Sequence, residues 1–474
     1  MKPVMRFCTL LFSAAAAVVL ACDQNQVPTA PIISLHKTAP PPPPTDPSCA
    51  SFVASHHRGN PDSSIALICA IQAPGPTNLA AGTKGWVDGD RYYLTDQSNA
   101  GLDVFDANNL AFLFRVGGMI GNAGAGGGTA TTNGAGPSSV VLDRRGRAWV
   151  SDGNSTLYVV DVDHVRQIVA TINTSIPACD HGTATTHYCG RTNEITYDPL
   201  HDLIFVQNPS ALDTAAPHNA IDTYATFISA RPPYHIVGTI SFPDRRGQEA
   251  PLWDPGTRRI VTAVSGRQVV TGGVVTALFH QYVAVINPRV RPFVIEHEFD
   301  IDCTALGIVG TPTTANPTGR QFGINDPALG RHQHMVIPAC GRPFIMNART
   351  GAFINTGITQ VGGGNETTYG SGDDNFYTAV GGFVGVIDAR TAQWKQNVTA
   401  AGVANPAAFA EGRNYVFVIV QAAATPTVCT AFGYQATGCI AVYGHTGTAS
   451  GHHHDGDDDD DDGGYGHGHE HGHD

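Results

Sequence analysis

Between about residues 65 and 444 the chain alternates short apolar runs with Asp- or Gly-centred turns, and one phrase returns seven times. Each copy is an apolar strand, a turn, and a second strand rich in aromatic and β-branched residues. The copies read WVDGDRYYLTD from Trp86, VVLDRRGRAWVSD from Val140, ITYDPLHDLIFVQN from Ile195 and PLWDPGTRRIVTAV from Pro251. They continue as FGINDPALGRHQHMVIP from Phe322, TTYGSGDDNFYTAV from Thr367 and AAFAEGRNYVFVIV from Ala407. A third strand and often a fourth follow, as in Leu157–Val162 with Gln167–Ile172 and Tyr282–Asn287 with Phe293–Phe299. Four short strands per unit, repeated every 40 to 70 residues or so, predict an all-β fold: a seven-bladed β-propeller of four-stranded antiparallel blades. A single four-stranded sheet cannot bury both faces, so stacking around an axis supplies the core.

The last repeat lacks a fourth strand, while Ile65–Ile71 is an apolar strand that no other unit claims. This N-terminal strand is expected to complete the last blade and close the ring. The fifth repeat is the weakest, since Cys303 to Gly323 reads mostly as loop, and a six-bladed ring is the alternative.

Outside the repeats the pattern changes. Lys2 and Arg6 precede an apolar run from Thr9 to Leu20, the layout of a signal peptide over residues 1–21. Val19-Leu20-Ala21-Cys22 resembles a bacterial lipobox, which makes Cys22 the candidate lipidation site. Residues 22–50 form a Pro-rich linker or stalk with Pro40 to Pro44 unbroken, the propeller occupies 51–446, and 447–474 read as a disordered tail. Eight further cysteines fall into four sequence-local pairs: Cys49 with Cys69, Cys179 with Cys189, Cys303 with Cys340, and Cys429 with Cys439. No Cys-x-x-Cys is present, so disulfides in an oxidising compartment are expected, with no haem. The resulting expectation is an exported protein of the periplasm or cell surface, held to the membrane by a lipid anchor. Net acidity (−13) argues against nucleic acid as a partner.

Three repeats carry a polar prefix: Asn193-Glu194, Gln248-Glu249 and Asn365-Glu366. In a propeller the first strand of each blade lines the central channel, so Glu194, Glu249 and Glu366 should ring one mouth, with Asn193, Gln248 and Asn365 beside them. Carboxylates about 6 Å apart repel by roughly 3 kcal/mol at an effective dielectric near 20. Compensation can come from a retained proton, from a cation such as Ca²⁺ or Mg²⁺, or from a basic group such as Arg191. The competing structural reading has each glutamate accepting backbone N–H bonds at a strand entrance. No acid–base histidine stands at the matching positions, and no catalytic nucleophile motif or nucleotide-binding loop occurs. His332-x-His334 would place two imidazoles on one face of a strand, a weak metal pattern.

From Gly451 onward the tail holds seven histidines, eight aspartates and one glutamate, contributing −9 of the formal −13. His452, His453, His454, His467, His469, His471 and His473 offer borderline ligands for Zn²⁺, Ni²⁺ or Cu²⁺.

The runs Arg191–Pro199, Val361–Glu366 and Gly438–Tyr443, with the Val386-Ile387-Asp388-Ala389-Arg390-Thr391 turn, resemble the YVTN/YncE-like propellers, an exported bacterial group. An uncharacterised branch of that group usually carries Asp at the Asn193 and Asn365 positions. The resemblance implies the fold over about residues 65–444 and leaves activity open. Three functions remain in view: a module binding a small molecule or envelope protein on one face, a lactonase-like metal-dependent hydrolase or lyase using the channel glutamates, and a structural or adhesion scaffold.

Overall fold

The computed structural model describes residues 60–447 together with Cys49, apart from 76–78, 80–81, 121–135, 154, 176–191, 209–222, 243–246, 273, 314–317, 322, 365, 381, 400–403, 421–426 and 435–437. The chain falls into two compact units, 1–41 and 42–474, and every described residue belongs to the second. Seven four-stranded antiparallel sheets follow one another in this unit. Blade one consists of Gly82–Asp88, Arg91–Asp96, Gly101–Asp106 and Phe112–Val116. Blade two runs from Ser139 to Asn173 and blade three from Ile195 to Phe242. Blade four spans Gln248–Ile301, blade five Ala328–Asn355 and blade six Thr367–Thr399.

Blade seven takes Ala404–Ala410, Tyr415–Val420 and Cys439–His445 from the C-terminal side, and Ile65–Ile71 supplies its outer strand. That strand pairs antiparallel with Cys439–His445, from Ile65 opposite His445 to Ile71 opposite Ile440. The first strands of successive blades lie against one another all the way round, including blade seven against blade one. The six-bladed alternative is thereby excluded.

Burial explains the sequence pattern. Second and third strands are sandwiched between neighbouring blades, so Tyr415–Val420 and Leu203–Asn208 are buried at every position. Outer strands face solvent on one side, and Gln167–Asn173 accordingly alternates. Seven apolar clusters fill the seven blade interfaces. The cluster between blades seven and one stacks Tyr92 on Phe417 with ring centroids 4.1 Å apart, so the closure is as well packed as the rest of the ring. His445 fastens blade seven to blade six and to its own closing segment: its Nε2 lies 2.8 Å from Asp373 Oδ2 and its Nδ1 2.8 Å from Ser63 O.

The turn residues of the phrase do what their chemistry allows. Asp198 Oδ1 accepts the backbone N–H groups of Leu200 and His201, and Asp202 closes the same turn at φ 59°, a conformation that Asp tolerates better than bulkier residues.

Of the four expected cysteine pairs, three are disulfide-bonded among the described residues. Cys49 is bonded to Cys69, Cys303 to Cys340 and Cys429 to Cys439, with Cα separations of 5.5, 5.7 and 5.7 Å. The fourth expected pair, Cys179 with Cys189, lies outside the described residues. Cys22, the signal segment and the histidines of the tail also lie outside the described residues. No helix among the described residues is long and apolar enough to cross a membrane.

One local feature is additional to the expected blades, and one local expectation fails. Blade four carries an extra hairpin, Arg267–Thr271 with Val274–Phe279, between its second and third strands. His332 and His334 do not share a strand face: Arg331–Gln333 forms a 3-10 turn with His332 at φ 40°, and the strand begins only at His334. His332 Nε2 faces Asp374 and His334 Nδ1 faces the Ala389 carbonyl instead.

Candidate functional site

Five charged side chains from five blades meet at one end of the channel. Glu194 and Glu366 each stand one residue ahead of the first strand of blades three and six, and Asp326 stands two residues ahead of that of blade five. Lys84 and Glu249 lie within the first strands of blades one and four, at register shifts between Gly82 and Gly85 and between Glu249 and Leu252. Such bulges turn a side chain away from the regular pleat. A threonine on the adjacent strand supports each irregularity. Thr95 Oγ1 accepts the Lys84 N–H at 3.2 Å and donates to the Lys84 carbonyl at 2.8 Å, while Thr262 Oγ1 donates to the Glu249 carbonyl at 3.1 Å.

Lys84 is the centre of the set. Its Nζ lies 2.6 Å from Glu194 Oε2 and 2.7 Å from Asp326 Oδ2, and the three side chains retain 18%, 6% and 5% of their exposure. Burial alone would depress the Lys84 pKa, but the charges of Asp326, Glu194 and Glu366 outweigh it and hold the ammonium charged far into the alkaline range. Asp326 is fixed from its other oxygen, Oδ1, by the Ala250 N–H at 2.9 Å, which ties blade five to blade four.

Glu366 behaves differently. It is 4% exposed and its Oε2 has no hydrogen-bond partner among the described residues. Burial pushes its carboxyl well above the usual range. The Lys84 charge opposes that shift, while Asp326, Glu194 and Glu249 add to it. Glu366 therefore holds its proton to higher pH than an exposed glutamate does, in the field of an ammonium and three other acidic groups. Two consequences follow for chemistry: Lys84 has no free amine to act as a nucleophile, and one carboxyl holds a proton it can release.

The three prefixed glutamates thus form one electrostatic unit. Their neighbours do not share a role. Asn193 is engaged through its main chain, whose N–H bonds to the Gln207 carbonyl at 3.0 Å and whose carbonyl accepts the Ser138 and Ser151 hydroxyls. Gln248 is fully buried, with neither Nε2 nor Oε1 paired among the described residues. Asn365 and Arg191 lie outside those residues. Among the described residues Lys84 is a basic partner of Glu194 and Asp326.

Lys84 and Asp326 escaped the sequence reading. A signal for them existed in the register: Glu194, Glu366 and Asp326 each precede a turn position (Asp198, Gly370, Gly330) by four residues, and Lys84 precedes Asp88 by the same interval.

A second charged cluster sits at the opposite end of the first strand of blade three, which ends at Asp198. Asp202, 3% exposed at its side chain, receives Arg145 Nη1 at 2.9 Å, Arg231 Nε at 2.7 Å and Arg144 Nη2 at 3.0 Å, along with the Tyr197 hydroxyl at 2.8 Å. Burial would raise its carboxyl, but hydrogen bonds from Arg145, Arg231 and Tyr197 hold it far below the ordinary carboxylate range.

No family model matches the chain, and no curated protein matches it. Among solved structures it is similar to the β-propeller domain of Myceliophteria thermophila Cps50 (Swd1), at 10% identity and a TM-score of 0.47, over 76% of this chain and 94% of that one. This likeness concerns the fold alone.

Proposed function

We propose that this protein is an exported, lipid-anchored propeller of the YncE-like kind that binds a small molecule or an envelope protein at the charged end of its channel. Its His/Asp-rich tail chelates Zn²⁺, Ni²⁺ or Cu²⁺. Export draws support from the N-terminal pattern and from three bonded cysteine pairs, which persist where thiols are oxidised.

The observation that favours binding over metal-dependent hydrolysis is the position of Lys84. A channel Ca²⁺ or Mg²⁺ would need six or more oxygens, several of them carboxylate. The Lys84 ammonium already stands between Glu194 and Asp326, and among the described residues no group of three His, Cys, Asp or Glu side chains is arranged to hold an ion. The residues present do not fit a resident divalent cation, so no step is routed through one.

Metal analysis after dialysis tests this reading. The full chain is expected to retain transition metal, and a form ending at Ser450 to retain none. An ion held by the shortened form and released by Glu249→Gln would instead establish the hydrolase reading. Mass spectrometry of the mature N-terminus tests the anchor, which an unmodified Cys22 would eliminate.

A further inference from the structure

We propose that the charged end of the channel recognises a primary ammonium group on a small organic amine, seated against Glu366 and Glu249 beside Lys84. The inference rests on the reading above that this end of the channel is a ligand site, and it names the ligand chemistry.

Three observations carry it. First, the site already shows what it accepts: the cation in the set among the described residues is a primary ammonium, donating to two carboxylates at 2.6 and 2.7 Å. Second, among the described residues the set brings four acidic side chains to one ammonium. Third, Glu366 Oε2 is unpaired among the described residues in a side chain 4% exposed, an acceptor without a donor. A buried acceptor of that kind is costly until a donor arrives.

The donor set selects among cations. A divalent metal demands many oxygens at once, and the described residues offer no such group. A quaternary ammonium has no N–H and is held by aromatic faces, whereas this set consists of carboxylates. A primary ammonium carries three donors and needs only two or three acceptors.

Binding is balanced by one proton. The amine enters as R–NH₃⁺, the Glu366 carboxyl gives its proton to solvent, and the pair that forms is carboxylate with ammonium. No covalent bond is made. Affinity should therefore rise with pH, by at most about tenfold per unit, until Glu366 is ionised in the free protein.

The test is calorimetric titration of n-butylamine hydrochloride into the full-length mature protein at pH 7. Two buffers of different ionisation enthalpy count the protons. Glu366→Gln, nearly isosteric and carrying the same tail, supplies the background. Wild type should bind one n-butylammonium beyond that background with release of up to one proton. Glu366→Gln should bind about tenfold or more weakly at this site, as for the loss of a charge-assisted contact. Lys84→Ala, if folded by circular dichroism, should bind two. Unchanged affinity in Glu366→Gln, absence of proton release, or equal binding of tetramethylammonium would overturn the proposal. Ca²⁺ binding above the Glu366→Gln background would overturn it together with the metal-free reading of the channel. If neither n-butylammonium nor Ca²⁺ exceeds the background, only the ammonium inference falls, because the proposed function is judged by the dialysis and N-terminal measurements.

Discussion

Two ionic clusters occupy opposite ends of blade three's inner strand, and their stoichiometries are inverted. At the channel, one ammonium stands with four acidic groups among the described residues, and Glu194, Asp326 and Glu366 are each no more than 6% exposed. At the outer turn, one buried carboxylate serves three guanidiniums whose side chains remain 44%, 33% and 64% exposed. The excess charge in the second case is hydrated and needs no further partner. In the first case much of it is shut away from water, and that burial pushes the Glu366 carboxyl up, favouring a retained proton there. Burial of the majority charge, rather than the number of ion pairs, decides whether such a cluster stores an unsatisfied group.

The largest effect should come from removing the minority charge at the channel. Lys84→Met removes the ammonium that Glu194 and Asp326 share, and breaking a buried pair in this way costs about 3–5 kcal/mol. Chemical denaturation at pH 7 measures it. A loss below about 1 kcal/mol would mean the cluster is as hydrated as a surface pair and would erase the contrast.

The next effect is one of pH. Glu366 keeps its proton in the folded state at pH values where the unfolded chain has released it. The folded state then binds more protons, so stability falls as pH rises from the ordinary glutamate value towards the raised folded one, by up to about 1.4 kcal/mol per unit. Glu366→Gln should flatten that slope in denaturation curves recorded across pH 5 to 7 or so. An unchanged slope would show that Glu366 is ionised in the folded protein.

Asp202 has the opposite sign and a smaller size. Its folded pKa is depressed, so its contribution is present above the unfolded value and is lost as pH falls below it. Asp202→Ala should cost about 2 kcal/mol at pH 7, the scale of hydrogen bonds to a charged group, and should remove part of the acid limb of the stability profile. Equal pH profiles for this variant and wild type would place the acid limb elsewhere.

How much of this was legible beforehand follows from how local each signal is. Strand runs such as Tyr415–Val420 are apolar at consecutive positions because neighbouring blades cover both faces, and that is visible in any single repeat. The closing strand was legible by elimination, since Ile65–Ile71 had no partner in its own neighbourhood. Glu194, Glu249 and Glu366 stood out because they share sign and position. Lys84 shares the position but not the sign, and its partner Asp326 is 242 residues away. Only ring closure brings blades one, three and five within hydrogen-bond distance, and no local pattern encodes a cross-channel distance. The hairpin Arg267–Phe279 was missed because it interrupts a blade instead of building one. His332 and His334 misled because strand alternation was assumed across a residue at φ 40°.

The smallest effect tests the outer cluster's hydration directly. Arg231 is the most exposed of the three guanidiniums, and Arg144 and Arg145 keep Asp202 paired without it. Arg231→Ala should therefore cost no more than about 0.5 kcal/mol, as for an exposed ion pair, and the difference should shrink further in high salt. Its removal also lowers a local positive excess, which offsets part of the lost hydrogen bond. A cost above about 1.5 kcal/mol that salt does not reduce would place Arg231 in a desolvated network. The two ends of blade three would then differ only in sign, and the unpaired oxygen of Glu366 would no longer follow from burial of the excess charge.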